Sequence, residues 1–336
     1  MKYMVNSKVI LSVLFFVFGV SAFLPAQQAR SLPNFQLFIT PSLGYRGGNM
    51  GEYVFTQDGT GTSTSKAPEG YKQLSLIDWK VNSIPVAGLS AKIRYKRLFL
   101  QADMDIGLPY KCGVMEDYDW ISSAGYQTHF SHHNNNVTDF YELSTSLGWL
   151  FTFLDNSLEV APFVGFAWNN LAFLARDGYI QYASSVNGTI EPWKPEIPKE
   201  PAPAGKLVTY QQELYALDIG SNITFHGTDT LSFSLDFAVQ PIFVLYAFDT
   251  HFAREQDFLD IVTFTAKIKT ALTLLYNFTD SYSLALSLEG SFLPLSYGSS
   301  FTKLSSEPEF IPSGAKGGAS HWFLGFNIGF RFNLFR

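Results

Sequence analysis

The chain has 336 residues, of which 46% are hydrophobic, 16% aromatic and only 15% charged, with a net charge of −6. Soluble domains carry about 25% charged residues, so an ordinary solvated surface is excluded, and the negative balance argues against nucleic acid as a partner. No apolar run of about 18 residues follows the N-terminus, which excludes membrane-crossing helices and leaves a closed barrel, where lipid-facing and lumen-facing residues interleave.

At the N-terminus, Lys2 and Lys8 flank an apolar run over residues 9–20, with small-residue cleavage points at Ser21-Ala22 or Pro25-Ala26. This pattern predicts a secretory signal peptide over residues 1–22, cleaved as late as residue 29, and a single barrel domain over 30–336. The lone cysteine, Cys112, forbids an intrachain disulfide and rules out a lipid-modified cysteine after the apolar run.

From about residue 34 the chain alternates two-periodic segments with breaks. Residues 98–108 turn Leu98, Leu100, Ala102, Met104, Ile106 and Leu108 outward and Gln101, Asp103 and Asp105 inward. Residues 266–278 turn Ile268, Leu272, Leu274, Tyr276 and Phe278 outward and Lys267, Lys269, Thr273 and Asn277 inward. The final segment places Trp322, Leu324, Phe326, Ile328, Phe330, Phe332 and Leu334 on one face and Gly325, Asn327, Gly329, Arg331 and Asn333 on the other. Short turns are expected near residues 95–97, 155–157, 227–229 and 279–281, and long loops over about 56–70, 112–138, 178–206, 250–260 and 301–319. Short turns at one end and long loops at the other predict an all-β, antiparallel up-and-down transmembrane barrel of about ten strands, its long loops extracellular. Trp149, Trp168, Tyr246, Tyr276 and Trp322 read as interface aromatics. The proline-rich stretch 191–203 reads as a stiff exposed flap, outside any ladder.

Two pairs carry candidate chemistry: Asp117-Tyr118-Asp119 and Asp249-Thr250-His251. Members spaced i, i+2 share one side of a strand. Two adjoining carboxylates resist double ionisation and hold a water or a proton between them. An aspartate beside a histidine orients the ring as a base. Asp117 and Asp119 share the inward phase of Asp103 and Asp105. Counting on from Val239, Phe243 and Leu245 places Asp249 and His251 on the lipid side instead, so a bulge near Pro241 must reset the phase, or the strand has by then left the bilayer. His129, His132 and His133 read as solvated loop histidines, and no metal is expected.

The chain resembles the omptin family of outer-membrane aspartyl-type endopeptidases in Gly51-Glu52-Tyr53-Val54-Phe55, Leu76-Ile77-Asp78-Trp79-Lys80-Val81-Asn82, Asp117-Tyr118-Asp119-Trp120, Ser131-His132-His133, Gly148-Trp149-Leu150, Tyr210-Gln211-Gln212 and Asp249-Thr250-His251, in family order. The resemblance implies a ten-stranded barrel with an extracellular groove that hydrolyses polypeptides. Asp117 and Asp119 would be its aspartate couple, and Asp249 and His251 its dyad. Ser131 and His133 would lie at the groove rim, and Glu52 in a pocket for a basic side chain. Two departures stand out. Ala247 replaces the second pocket acid, which weakens the expectation of a basic target. Asn170 and Glu213 stand where lipopolysaccharide-binding cations would be, which argues against dependence on that lipid. The expectation is thus a monomeric outer-membrane hydrolase without cofactor, in contact with lipid and polypeptide substrates. A catalytically silent adhesin or host-protein receptor is the alternative.

Overall fold

A computed structural model describes residues 35–335; the expected signal peptide lies outside them. Ten long strands form the wall: β1 (Phe35–Thr56), β2 (Lys72–Tyr95), β3 (Leu98–Gly107 continued by Tyr110–Asp119), β4 (His129–Trp149), β5 (Leu158–Tyr182), β6 (Lys206–His226), β7 (Leu231–His251), β8 (Gln256–Val262 continued by Thr265–Asn277), β9 (Tyr282–Leu304) and β10 (Ile311–Phe335). Each pairs antiparallel with its chain neighbours, and β10 pairs with β1 along nearly its whole length, so the ladder returns on itself. A ring without edges satisfies every backbone group internally, the condition for crossing hydrocarbon.

Towards the short-turn end, an apolar outer band encircles the ring. Leu100, Phe237, Leu272, Leu288, Leu324 and Ile328 are exposed there, bounded by Tyr95, Trp149, Tyr276 and Tyr282 towards the short turns and by Tyr45, Tyr110, Tyr246 and Trp322 towards the loops. The alternation read from residues 98–108, 266–278 and 322–334 matches this split. Inside the band, Arg46 reaches Asp105 at 2.7 Å, Glu289 at 2.7 Å and Asn327 at 2.8 Å, and Lys267 reaches Glu142 at 3.1 Å and Asn169 at 2.7 Å. Above this layer Met50, Trp79, Phe140, Phe173, Tyr210 and Leu214 are fully buried. A ten-stranded lumen filled in this way is a packed interior rather than a channel.

The turns fall where expected, as does the loop after β1 at residues 57–71, but other loops are shorter. Residues 120–128 replace the expected break at 112–138, a 3-10 turn (Phe252–Arg254) replaces 250–260, and residues 305–310 replace 301–319. Above the band the outer face turns polar and the inner face carries buried residues such as Met50, Trp79 and Tyr210, so the lipid-facing alternation ends while the ladder does not. His129, His132 and His133 accordingly lie on β4, not in a loop. The proline-rich stretch is also not a free flap. Glu200–Pro201 pairs with Tyr179 and Ile180, Trp193 N–H donates to Gln127 O at 2.8 Å, and Gln181 donates to Pro195 O at 3.2 Å. Pro201 is tolerated because it sits in a two-residue edge bridge.

Candidate active site

Two arcs of the wall lose their regular phase just above the apolar band. In the first, β2 has an extra residue between Val81 and Ile84, β3 is interrupted at Leu108-Pro109 and shifts again between Lys111 and Gly113, and β4 shifts between Val137 and Asp139. In the second, β7 carries an extra residue at Phe243, β8 breaks at Thr263-Phe264, and β9 shifts between Leu293 and Ser296. Pro85, Pro109, Pro241 and Pro294 adjoin these irregularities, as a residue without N–H requires.

The second arc decides the dyad. Below it, Gln240 and Ile242 are buried while Val239 is exposed; above it, Leu245, Ala247 and Asp249 are buried while Tyr246 is exposed. Tyr215 pairs with Val244 and Ala216 with Ile242, leaving Phe243 unopposed on β6. The bulge therefore lies two residues beyond Pro241. Leu245, assigned to the lipid side by simple alternation, points inward, and Asp249 and His251 follow it into the groove.

His251 Nε2 lies 2.8 Å from Asp249 Oδ2. Burial holds the Asp249 carboxyl above its ordinary value, and the hydrogen bond and charge of His251 together with a hydrogen bond from Glu52 offset this only in part. Against it, on the other arc, Asp117 is driven well above the usual carboxylate range, first by burial and then by the negative charge of Asp119. Asp249 adds to that field, so the two pairs face one another. Ser75 Oγ, 3.4 Å from Asp117 Oδ1, and the Arg254 cation act in the opposite direction. Arg254 comes from the 3-10 turn just past the dyad, a position the sequence reading passed over as loop.

Glu52 is buried beside the dyad, its carboxyl raised by burial and by the charges of Asp249, Asp260 and Asp117. Trp79, on which Tyr210 stacks at 5.8 Å between ring centroids, lies against it as the floor. Ser131 pairs across the ladder with Asp117, and His133 Nε2 is 2.8 Å from Ser131 Oγ while Nδ1 is 2.6 Å from Asp177 O. Both are buried in the wall behind the aspartate couple. The three histidines do not gather: His129 packs on Tyr182 with centroids 4.4 Å apart, and His132 lies 3.4 Å from Glu116 and stacks on Tyr179.

A residue absent from the sequence reading completes the anionic pocket. Asp260 on β8 pairs directly across the ladder from Ala247. It is buried, its carboxyl is pushed up to about 7 by burial and by the charge of Asp249, and it lies within the electrostatic reach of Glu52. A β-carbon at Gly317 on the far side would collide with its carboxylate, so the glycine makes room for it. The acid missing at Ala247 is thus present one strand away. The sequence signal was Asp257-Phe258-Leu259-Asp260 just after the dyad, which pairing alone relates to Ala247. On the outside at band level, Glu213 accepts from Trp168 at 2.9 Å and Tyr215 at 2.7 Å, and Asn170 accepts from Gln211 at 2.7 Å. None of these five side chains is a cation.

The Omptin family model matches residues 34–333. Among solved structures, the chain is similar to the outer membrane protease OmpT from Escherichia coli, at 16% identity and a TM-score of 0.75, over 91% of this chain and 100% of that one. The translocator domain of the autotransporter NalP from Neisseria meningitidis aligns at 8% identity and a TM-score of 0.30, over 96% of this chain and 97% of that one. No curated protein sequence matches.

Proposed function

This chain belongs to the omptin family, and on that premise we propose that it is an outer-membrane endopeptidase whose groove, opening on the long-loop side, faces the cell exterior. The observation that carries the reading is the Asp249–His251 contact of 2.8 Å, held opposite two adjoining aspartates. With Nε2 donating to Asp249, the His251 Nδ1 lone pair is left to take a proton from water. The Asp117–Asp119 couple, with the Asp117 carboxyl raised by burial and by the charge of Asp119, holds that water from the other side. The water oxygen bonds to the scissile carbonyl carbon, its proton passes to His251, and the imidazolium returns it to the leaving amine as the carbon–nitrogen bond breaks. Asp249 keeps the ring oriented and stabilises its charged form.

Glu52 and Asp260 support a substrate with a cationic side chain. Two buried acids without a lysine or arginine partner among the described residues gain a compensating charge when a guanidinium or ammonium enters between them. Asp260 thereby takes over for Ala247, and the preference for a basic target is retained.

A diverse peptide library incubated with the refolded barrel tests the reading. Cleavage beside lysine or arginine, lost in His251→Ala, is the expected result. Binding without cleavage by the wild-type protein would instead favour the adhesin alternative.

A further inference from the structure

At the short-turn end of the lumen stands a cluster of cations that the groove chemistry does not use. Lys92 and Arg94 on β2 and Arg331 on β10 point inward there, on either side of β1. Arg94 Nη1 lies 3.5 Å from Glu159 Oε1 on the facing wall, and the same oxygen is 3.5 Å from His226 Nε2. Asp236, also on that wall, accepts from Asn222 at 2.7 Å. Among the described residues neither Lys92 nor Arg331 has an ion pair or a hydrogen bond. Each lies over an aromatic ring instead, Lys92 Nζ 4.4 Å from the centre of Phe99 and Arg331 Cζ 4.4 Å from that of Phe38. Arg94 Nε is buried and likewise lacks a hydrogen-bond partner. Lys92 lies within electrostatic reach of Asp236, Arg331, Glu159 and Arg94, so three cations share two carboxylates.

We infer that Lys92, Arg94 and Arg331 form a binding site for one soluble phosphate group, inorganic phosphate or a phosphomonoester, at the short-turn mouth of the lumen. Partly desolvated cations without a counter-charge are costly, and an anion meets that cost where a neutral ligand does not. The guanidinium forks match phosphate oxygens, and the ammonium adds a compact charge. A carboxylate has two oxygens and meets at most two of the three cations, whereas a phosphate can reach all three. At about −1.5 to −2 charge near pH 7, a phosphate also offsets the surplus cation. The Phe38 and Phe99 faces hold the two unpaired cations in place before the guest arrives. Lys96 and Arg97 of the first short turn are exposed and carry positive charge out to the rim, where it steers an anion inward. The three side chains face the lumen rather than the acyl chains, so a lipid phosphate is the poorer fit. The site does not depend on the endopeptidase reading; only the guest's arrival from the periplasm rests on the proposed orientation.

Calorimetric titration of inorganic phosphate into the folded barrel, in uncharged detergent micelles and at constant ionic strength in chloride, reads the site without reference to activity. One equivalent is expected to bind. Its affinity should fall at least about 10-fold in Arg331→Gln and in Lys92→Gln, and stay unchanged in Lys66→Gln, on the loop after β1. Neither Arg331 nor Lys92 has a carboxylate partner to strand, and each variant is first shown to keep the compact gel mobility of the unheated folded barrel. Phosphate should also raise the unfolding midpoint of the wild-type barrel and not that of Arg331→Gln. Absence of binding, or equal affinity in the wild type and both variants, would overturn the site. A second arm repeats the titration in bicelles that contain phosphatidic acid. Unchanged affinity is the result expected of a lumenal site, whereas competition by the lipid would overturn the assignment to a soluble guest.

Discussion

The barrel contains two clusters of buried acids, and they differ in what faces them. At band level, Asp105 and Glu289 share Arg46, and Glu142 meets Lys267, so each of these carboxylates has a cation within 3.1 Å. Farther along the wall towards the loops, Glu52, Asp249 and Asp260 have, among the described residues, only the imidazole of His251 as a cationic partner. Similar side chains, the upper ones the more deeply buried, therefore do opposite jobs. The compensated cluster closes the lumen, while the uncompensated one keeps a free-energy demand for positive charge that a ligand can meet.

Breaking the upper cluster at its base should give the largest effect. His251→Ala is expected to lower kcat/KM by about 10²–10⁴-fold with folded-barrel gel mobility intact, and full activity in this variant would end the proposed mechanism. Deleting Phe243 tests the same point through the backbone: removing the bulge residue returns Asp249 and His251 to the lipid phase and should abolish cleavage, while Phe243→Ala, which keeps the count, should remain active. A deletion variant that cleaves at the wild-type rate would show that the bulge does not set the phase.

Breaking the lower cluster should move stability and leave turnover alone. Arg46→Ala strands Asp105 and Glu289 and is expected to cost about 3–5 kcal/mol in denaturant unfolding from micelles, with kcat unchanged in the protein that remains folded. A loss of kcat with unaltered stability would mean that the two clusters are coupled.

Asp260 sharpens the contrast further. Its carboxyl is pushed up from 3.8 to about 7 in the folded barrel, so between roughly pH 4 and 7 the folded state binds a proton that the unfolded chain releases. Stability from this group is fully present below pH 4 and is lost as pH rises through 7, by on the order of 4 kcal/mol. Asp260→Asn should flatten that fall, seen as unfolding midpoints that decline less steeply over this range, the remainder coming from Glu52, Asp117 and Asp249, whose carboxyls are also raised. The same variant should lose about 10-fold in kcat/KM for peptides carrying lysine or arginine relative to neutral ones. The full wild-type slope in Asp260→Asn would remove the pocket acid from the account.

Much of the barrel was legible in the sequence where one physical constraint acts on every residue. Lipid on one side and a polar lumen on the other impose strict alternation, so the inward and outward sets of residues 98–108, 266–278 and 322–334 could be read directly. Above the band the outer face is wet while the inner face mixes apolar core with polar site residues, so the lipid-facing alternation loses its cause, and strands such as the start of β4 at His129 passed for loop. Asp117 and Asp119 were placed correctly by parity, although β3 is interrupted and bulged before reaching them; Met115, fully buried, shows the inward phase restored. Asp249 and His251 needed a reset that parity could demand but not locate.

The sequence by itself determined the class of the molecule, the short-turn end, and the four residues proposed to hold and deprotonate water, because period-two patterning and i, i+2 spacing are local properties of the chain. Only the tertiary structure decided that Phe243 absorbs the phase error, that Asp260 stands across the ladder from Ala247, and that Glu52 is buried against Asp249. Those facts depend on which strand lies beside which and in what register, and register is set by hydrogen bonding around the whole closed ring.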